Sequence, residues 1–174
     1  LQALRSGETI RTTEFRSHLD VGLTEDKWVL LVRTLGSIRG IEHLKFNCRS
    51  GSCDFHPFRA IADAVNNAHS LCKLAINMDG RIPRDPSGMI ALANALQEHT
   101  AFQEFTWTDG YSWQEATQIT SLDPVLQALP ACPHLQRVII MTKYASSNAT
   151  KNLLQLRSAT NLNLVLGKEH WLAV

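Results

Sequence analysis

The chain has 174 residues, a formal charge of +1, 44% hydrophobic and 19% charged side chains. That composition suits a soluble globular chain with enough apolar content for a sizeable core. The near-neutral balance, without a long basic run, argues against nucleic acid as a partner, and the apolar stretches fall far short of the about twenty residues a transmembrane helix needs.

In chain order, apolar residues recur in a pattern that changes period within each copy. The clearest copy is Met89 to Trp107, MIALANALQEHTAFQEFTW. Met89, Leu92, Ala93 and Leu96 share one face of a helix, and Ser87, just after Pro86, is placed to cap it. Phe102, Phe105 and Trp107 follow as L-x-x-L-x-L, whose last two apolar residues point to one side of a short strand. With the first residue of that signature as position zero, apolar residues are expected at −13, −10, −9, −6, 0, +3 and +5. The first full copy reads Trp28, Leu31, Val32, Leu35, Ile41, Leu44, Phe46 and the second Phe58, Ile61, Ala62, Val65, Leu71, Leu74, Ile76. Met89 to Trp107 is the third, and Leu122, Val125, Leu126, Leu129, Leu135, Val138, Ile140 the fourth. All twenty-eight positions are apolar, and the zero positions are 30, 31 and 33 residues apart.

Both ends carry partial copies. Leu1, Leu4, Ile10 and Phe15 fit −9, −6, 0 and +5 of an earlier unit, so the chain starts in mid-helix and residues upstream of Leu1 are expected. Leu153, Leu156 and Leu162 continue the columns, while Leu164 and Leu166 come one residue early, as a single deletion would place them. Helices are expected near 26–36, 57–67, 87–98, 121–130 and 148–158, and strands centred near Phe15, Leu44, Leu74, Phe105, Val138 and Leu164. A unit that is apolar on one side of a helix and one side of a strand must stack on copies of itself.

The units resemble the leucine-rich repeat of the ribonuclease-inhibitor-like subclass, over nearly the whole chain. ALANALQEHTAFQEFTW and AIADAVNNAHSLCKLAI look like its helix-to-strand passage, and VGLTEDKW at Val21 to Trp28 like its lead into the next helix. The resemblance implies an α/β fold: a right-handed solenoid of helix-strand repeats with a curved parallel sheet on the concave face. It makes residues 1–174 a single domain with a partial repeat at 1–20 and repeats near 24–50, 56–80, 87–110, 121–143 and 148–167. The family places Asn or Cys at +8, and this chain has His18, Arg49, Asp79, Gly110 and Lys143 there, which predicts an irregular coil after each strand.

The four cysteines, Cys48, Cys53, Cys72 and Cys132, form no disulfide framework and read as reduced thiols of an intracellular protein. Cys48-x4-Cys53-x2-His56 lacks the second ligand pair of a zinc finger, so no metal or other cofactor is expected. His69 and His99 stand just past their helices, where an imidazole meets terminal carbonyls. Asn148-Ala149-Thr150 matches a glycosylation acceptor by chance in a chain without secretion signals. Neither a phosphate loop nor a nucleophile elbow nor a convergent pair of carboxylates is present, so no enzyme is expected.

Function is therefore sought on the sheet face turned from the helices, at +2, +4 and +6. Those columns hold Thr12, Glu14, Arg16; His43, Lys45, Asn47; Lys73, Ala75, Asn77; Glu104, Thr106, Thr108; and Arg137, Ile139, Met141. Four basic residues, Arg16, Lys45, Lys73 and Arg137, against two acidic ones, Glu14 and Glu104, make a weak basic excess gathered around Lys45 and Lys73 and suited to an acidic partner. The +4 column passes from charged to apolar, ending in Ile139 and Val165, and with Met141 these form the candidate contact patch. Tyr111 and Trp113, in the long loop Asp109 to Ser121, are a second contact candidate. The expected function is a protein–protein interaction module. An architectural segment of a larger assembly, or a targeting domain joined to a catalytic or ubiquitin-ligase module, as the resemblance allows, is the alternative.

Overall fold

A computed structural model describes residues 11–18, 25–49, 57–79, 86–109, 122–141, 147–159 and 162–166. Strands and helices alternate: β1 (Thr12–His18), α1 (Glu25–Gly36), β2 (His43–Arg49), α2 (Pro57–Asn67), β3 (Lys73–Asp79), α3 (Ser87–Glu98), β4 (Glu104–Asp109), α4 (Asp123–Ala128), β5 (Arg137–Met141), α5 (Ser147–Ala159) and β6 (Asn163–Leu166). The six strands form one parallel sheet in chain order, and each helix packs against the next. Sequence order and spatial order coincide because every unit buries its apolar faces against its neighbours.

The register lines up the repeat columns. Leu44, Leu74, Phe105, Val138 and Leu164 make one inward row, and Phe46, Ile76, Trp107, Ile140 and Leu166 the next. The early register of the last unit is seen directly, since Val138 pairs with Leu164 and Ile140 with Leu166. Backbone bonds repeat ahead of each strand: Glu42 O accepts from Cys72 N and Lys73 N, Cys72 O from Gln103 N and Glu104 N, and Gln103 O from Gln136 N and Arg137 N, at 2.7–3.1 Å. The strands begin at +2, and in β2 and β3 pairing runs on to +8, so those strands centre on Phe46 and Ile76, two residues later than expected.

Of the twenty-eight repeat positions all are buried except Leu31, Leu35 and Leu135. Leu31 is 37% exposed. It and Leu35 lie on α1, which among the described helices has only α2 to pack against. Leu135 follows α4, which tightens into a 3-10 turn at Leu129–Ala131 where a longer α-helix was expected. Pro130 explains the change, because it has no N–H for the α-helical bond and its ring crowds the preceding turn. At α3 the cap position is taken by Pro86, whose side chain offers no hydrogen bond, and Ser87 is the first helical residue instead of the cap.

Aromatic rings join helices to strands, across units in the first of two pairs and within one unit in the second. Phe58 of α2 stacks on Trp107 of β4 at 5.7 Å between centroids, and Trp28 of α1 meets Phe46 of β2 at 6.5 Å. Gly36 lets α1 touch α2 at backbone distance: a Cβ there would stand 2.5 Å from both Cα and O of Ala64. Gly40 turns the chain into β2 with φ 81°, a left-handed conformation that side chains disfavour. The coil after each strand and the +8 side chains, on which the family departure bears, lie outside the described residues and side chains.

Candidate functional site

Alternation along a strand sends every second side chain away from the helices, so the candidate residues must share a face once the inward rows are fixed. The register assembles them. One outward row is Thr12, His43, Lys73, Glu104, Arg137, Asn163; the next is Glu14, Lys45, Ala75, Thr106, Ile139, Val165; the third runs from Asn47 through Asn77 and Thr108 to Met141.

At the β1–β2 end the polar groups satisfy one another. Lys45 Nζ lies 3.1 Å from Glu14 Oε1, and the same oxygen accepts from Asn47 Nδ2 at 2.8 Å. Thr12 Oγ1 and His43 Nδ1 are 3.2 Å apart. In the middle, Glu104 stands between two cations: Lys73 Nζ is 3.5 Å from its Oε2 and an Arg137 Nη 4.0 Å. Lys45, Lys73 and Arg137 thus each face a carboxylate in the neighbouring strand. The sequence reading missed this pairing, although the signal was present: opposite charges fall in the same column one repeat apart.

The β5–β6 end differs. Ile139 and Val165 pair directly, both half-buried, and Met141 is 47% exposed. The apolar patch therefore consists of an adjacent Ile139–Val165 pair with Met141 one outward position further along β5. Arg137 closes the patch at its other end, on the same strand and the same side. Tyr111 and Trp113 lie outside the described residues.

The remaining polar candidates serve the stack. His99 is buried and its Nε2 sits 2.9 Å from Ala68 O, so the ring donates to a carbonyl of the preceding repeat. It bonds across repeats, not to its own helix end, and its column mate is Ala68; His69, one position later, is exposed. His99 lines an open cavity of ≈ 290 Å³ with Asn66, His69 and Glu98 at the ends of α2 and α3. Cys132, in the same column, donates its S–H to Leu96 O at 3.3 Å. Burial pushes the Cys48 thiol up to about 12 and Cys132 to about 11, which keeps both protonated and poor metal ligands. Cys53 and His56 lie outside the described residues, and among those described no group of three or more His, Cys, Asp or Glu could hold a metal ion. Among the described residues no helix is long and apolar enough to cross a membrane.

No family model and no curated protein matches this chain in sequence. In three dimensions it is similar to the C-terminal domain of tropomodulin from Caenorhabditis elegans, with a TM-score of 0.57 and 13% identity, covering 90% of this chain and 88% of that one. At that identity the likeness is one of fold, and it makes the architecture leucine-rich-repeat-like: among the described residues, a six-stranded parallel sheet with five α-helices.

Proposed function

We propose that this chain is a protein–protein interaction module whose partner seats on the outward face of the sheet at β5 and β6. The observation that carries the reading is the outward apolar pair Ile139 and Val165 beside exposed Met141, on a strand whose inward residues, Val138 and Ile140, already supply the core. A parallel strand apolar on both sides is ordinarily covered on both. The polar β1–β2 end, with its side chains bonded to one another, has less to offer a partner. Lys45 and Lys73 then set the charge of the approach rather than the seat.

We read the stack as a right-handed coil of the ribonuclease-inhibitor-like kind forming one repeat domain. Parallel crossovers within one sheet are right-handed in about 98% of cases, and the 30–33-residue spacing of the zero positions suits that subclass. An intracellular setting and a protein, rather than nucleic acid, as partner fit the reduced thiols and the near-neutral charge.

Crosslinking in cells tests the binding face. A photo-crosslinking residue at position 141 should capture a partner that the same residue at position 30, an exposed site on α1, does not. Adding Ile139→Asp should abolish capture from position 141. Equal capture from both positions, or capture from 141 indifferent to Ile139→Asp, would remove the face from consideration.

A further inference from the structure

The charges beside the apolar pair are unequal, and the inequality says what a ligand must carry. Glu104 is the carboxylate within ion-pair distance of both Lys73 and Arg137, and both separations are long, 3.5 and 4.0 Å. At the β1–β2 end Glu14 instead holds Lys45 at 3.1 Å with a second bond from Asn47. Among the described residues, one carboxylate shared by two cations leaves about one positive charge uncompensated, and it resides at Arg137, the more distant of the two. The Arg137 side chain is 46% exposed, and its guanidinium fork can bind a carboxylate through two parallel bonds that Glu104 does not make at 4.0 Å. Two residues along β5, about 7 Å away at the usual strand rise, lies Ile139 with Val165 beside it. Met141 follows at the same interval.

We propose that this surface takes an acidic-aliphatic protein segment: a carboxylate on Arg137, followed one contact further on by an aliphatic side chain over Ile139 and Val165 and a second against Met141. The assignment rests on the outward face being the binding surface and adds the chemistry of its occupant. An extended segment supplies that spacing from residues i, i+2 and i+4. Glu104 is a built-in competitor for Arg137. Neutralising it therefore strengthens an acidic ligand, a sign that a merely structural carboxylate would not produce.

The test is selection of random dodecapeptides on the intact 174-residue chain, followed by titration of a selected, fluorescently labelled peptide at about 0.15 M salt. Peptides should be enriched in Asp or Glu followed at i+2 by Leu, Ile, Val or Met. Arg137→Gln should weaken the peptide about tenfold or more, Glu104→Gln should tighten it several-fold, and raised salt should weaken the wild-type complex. Thermal melts of the variants show that each is folded. Peptides lost on Ile139→Asp but indifferent to Arg137→Gln and Glu104→Gln would overturn the acidic assignment while leaving the face intact. Peptides indifferent to all three substitutions, or no enriched peptide, would overturn both. A labelled single-stranded oligonucleotide that binds wild type but not Arg137→Gln, and displaces the peptide, would reassign the site to polyanions.

Discussion

The two sides of the sheet obey different rules. The inward side is nearly invariant along the stack, large and apolar from Leu44 and Phe46 to Leu164 and Leu166, and every described residue of its two main rows from β2 onward is buried. The outward side changes strand by strand, from the Glu14–Lys45 pair through Ala75 and Thr106 to Ile139 and Val165. Burial against a helix constrains one side everywhere, whereas the other side is free of that constraint. Stability is thus carried by one set of alternate strand residues, and the proposed recognition by the other.

The largest effect that could break this contrast lies in the core. Trp107→Ala should cost about 3–5 kcal/mol and Leu92→Ala about 2–5 kcal/mol, from lost burial and the cavity left behind, whereas Met141→Ser on the outward side should stay within about 0.5 kcal/mol. Urea unfolding of the three variants decides it. A Met141→Ser loss as large as that of Leu92→Ala would mean that the outward patch is part of the core.

Next comes the helix layer. Gly36→Ala drives a Cβ into the Ala64 backbone and should cost about 1–3 kcal/mol through overpacking. Gly88→Ala should cost less, because its Cβ would meet the Phe58 Cβ at 3.0 Å rather than backbone atoms at 2.5 Å. Equal melting temperatures for the two variants would show that α1 and α2 separate easily.

Outward ion pairs should register weakly. A double-mutant cycle on Glu14 and Lys45, both partly exposed, should yield under about 1 kcal/mol, shrinking as salt is added. A coupling that is larger and insensitive to salt would make the β1–β2 end of the face a structural network.

The last effect is confined to high pH. Burial raises Cys48 from 9.0 to about 12, so below pH 9 folded and unfolded chains both keep the thiol proton. As pH rises from about 9 to 12 the unfolded chain loses it first and stability falls. Residue-resolved alkylation of the native protein at pH 8 should accordingly modify half-buried Cys72 before Cys48 and Cys132. Prompt labelling of Cys48 would show that the inward row opens to solvent.

Much of this molecule was legible before its coordinates. Four of the five α-helices among the described residues lie within a residue of their expected bounds, because a helix face is set by residues three and four apart, all within one short stretch. The exception, α4, gave way to Pro130, a local rule that the periodicity overrode in the reading. The outward columns fell where alternation put them, since a strand with a fixed inward side has no freedom about the other.

What the sequence alone determined is the repeat: which residues are apolar at which offsets, and therefore which face inward, because those constraints act within about thirty residues. Only the tertiary structure decided how neighbouring repeats share their polar groups. That His99 bonds to Ala68 O rather than to its own helix end, and that Glu14 holds Lys45 while Glu104 is divided between Lys73 and Arg137, both depend on contacts between units. Such contacts join atoms some thirty residues apart, and their distances are set by how the units seat on one another, which hydrophobic spacing within a single unit does not specify.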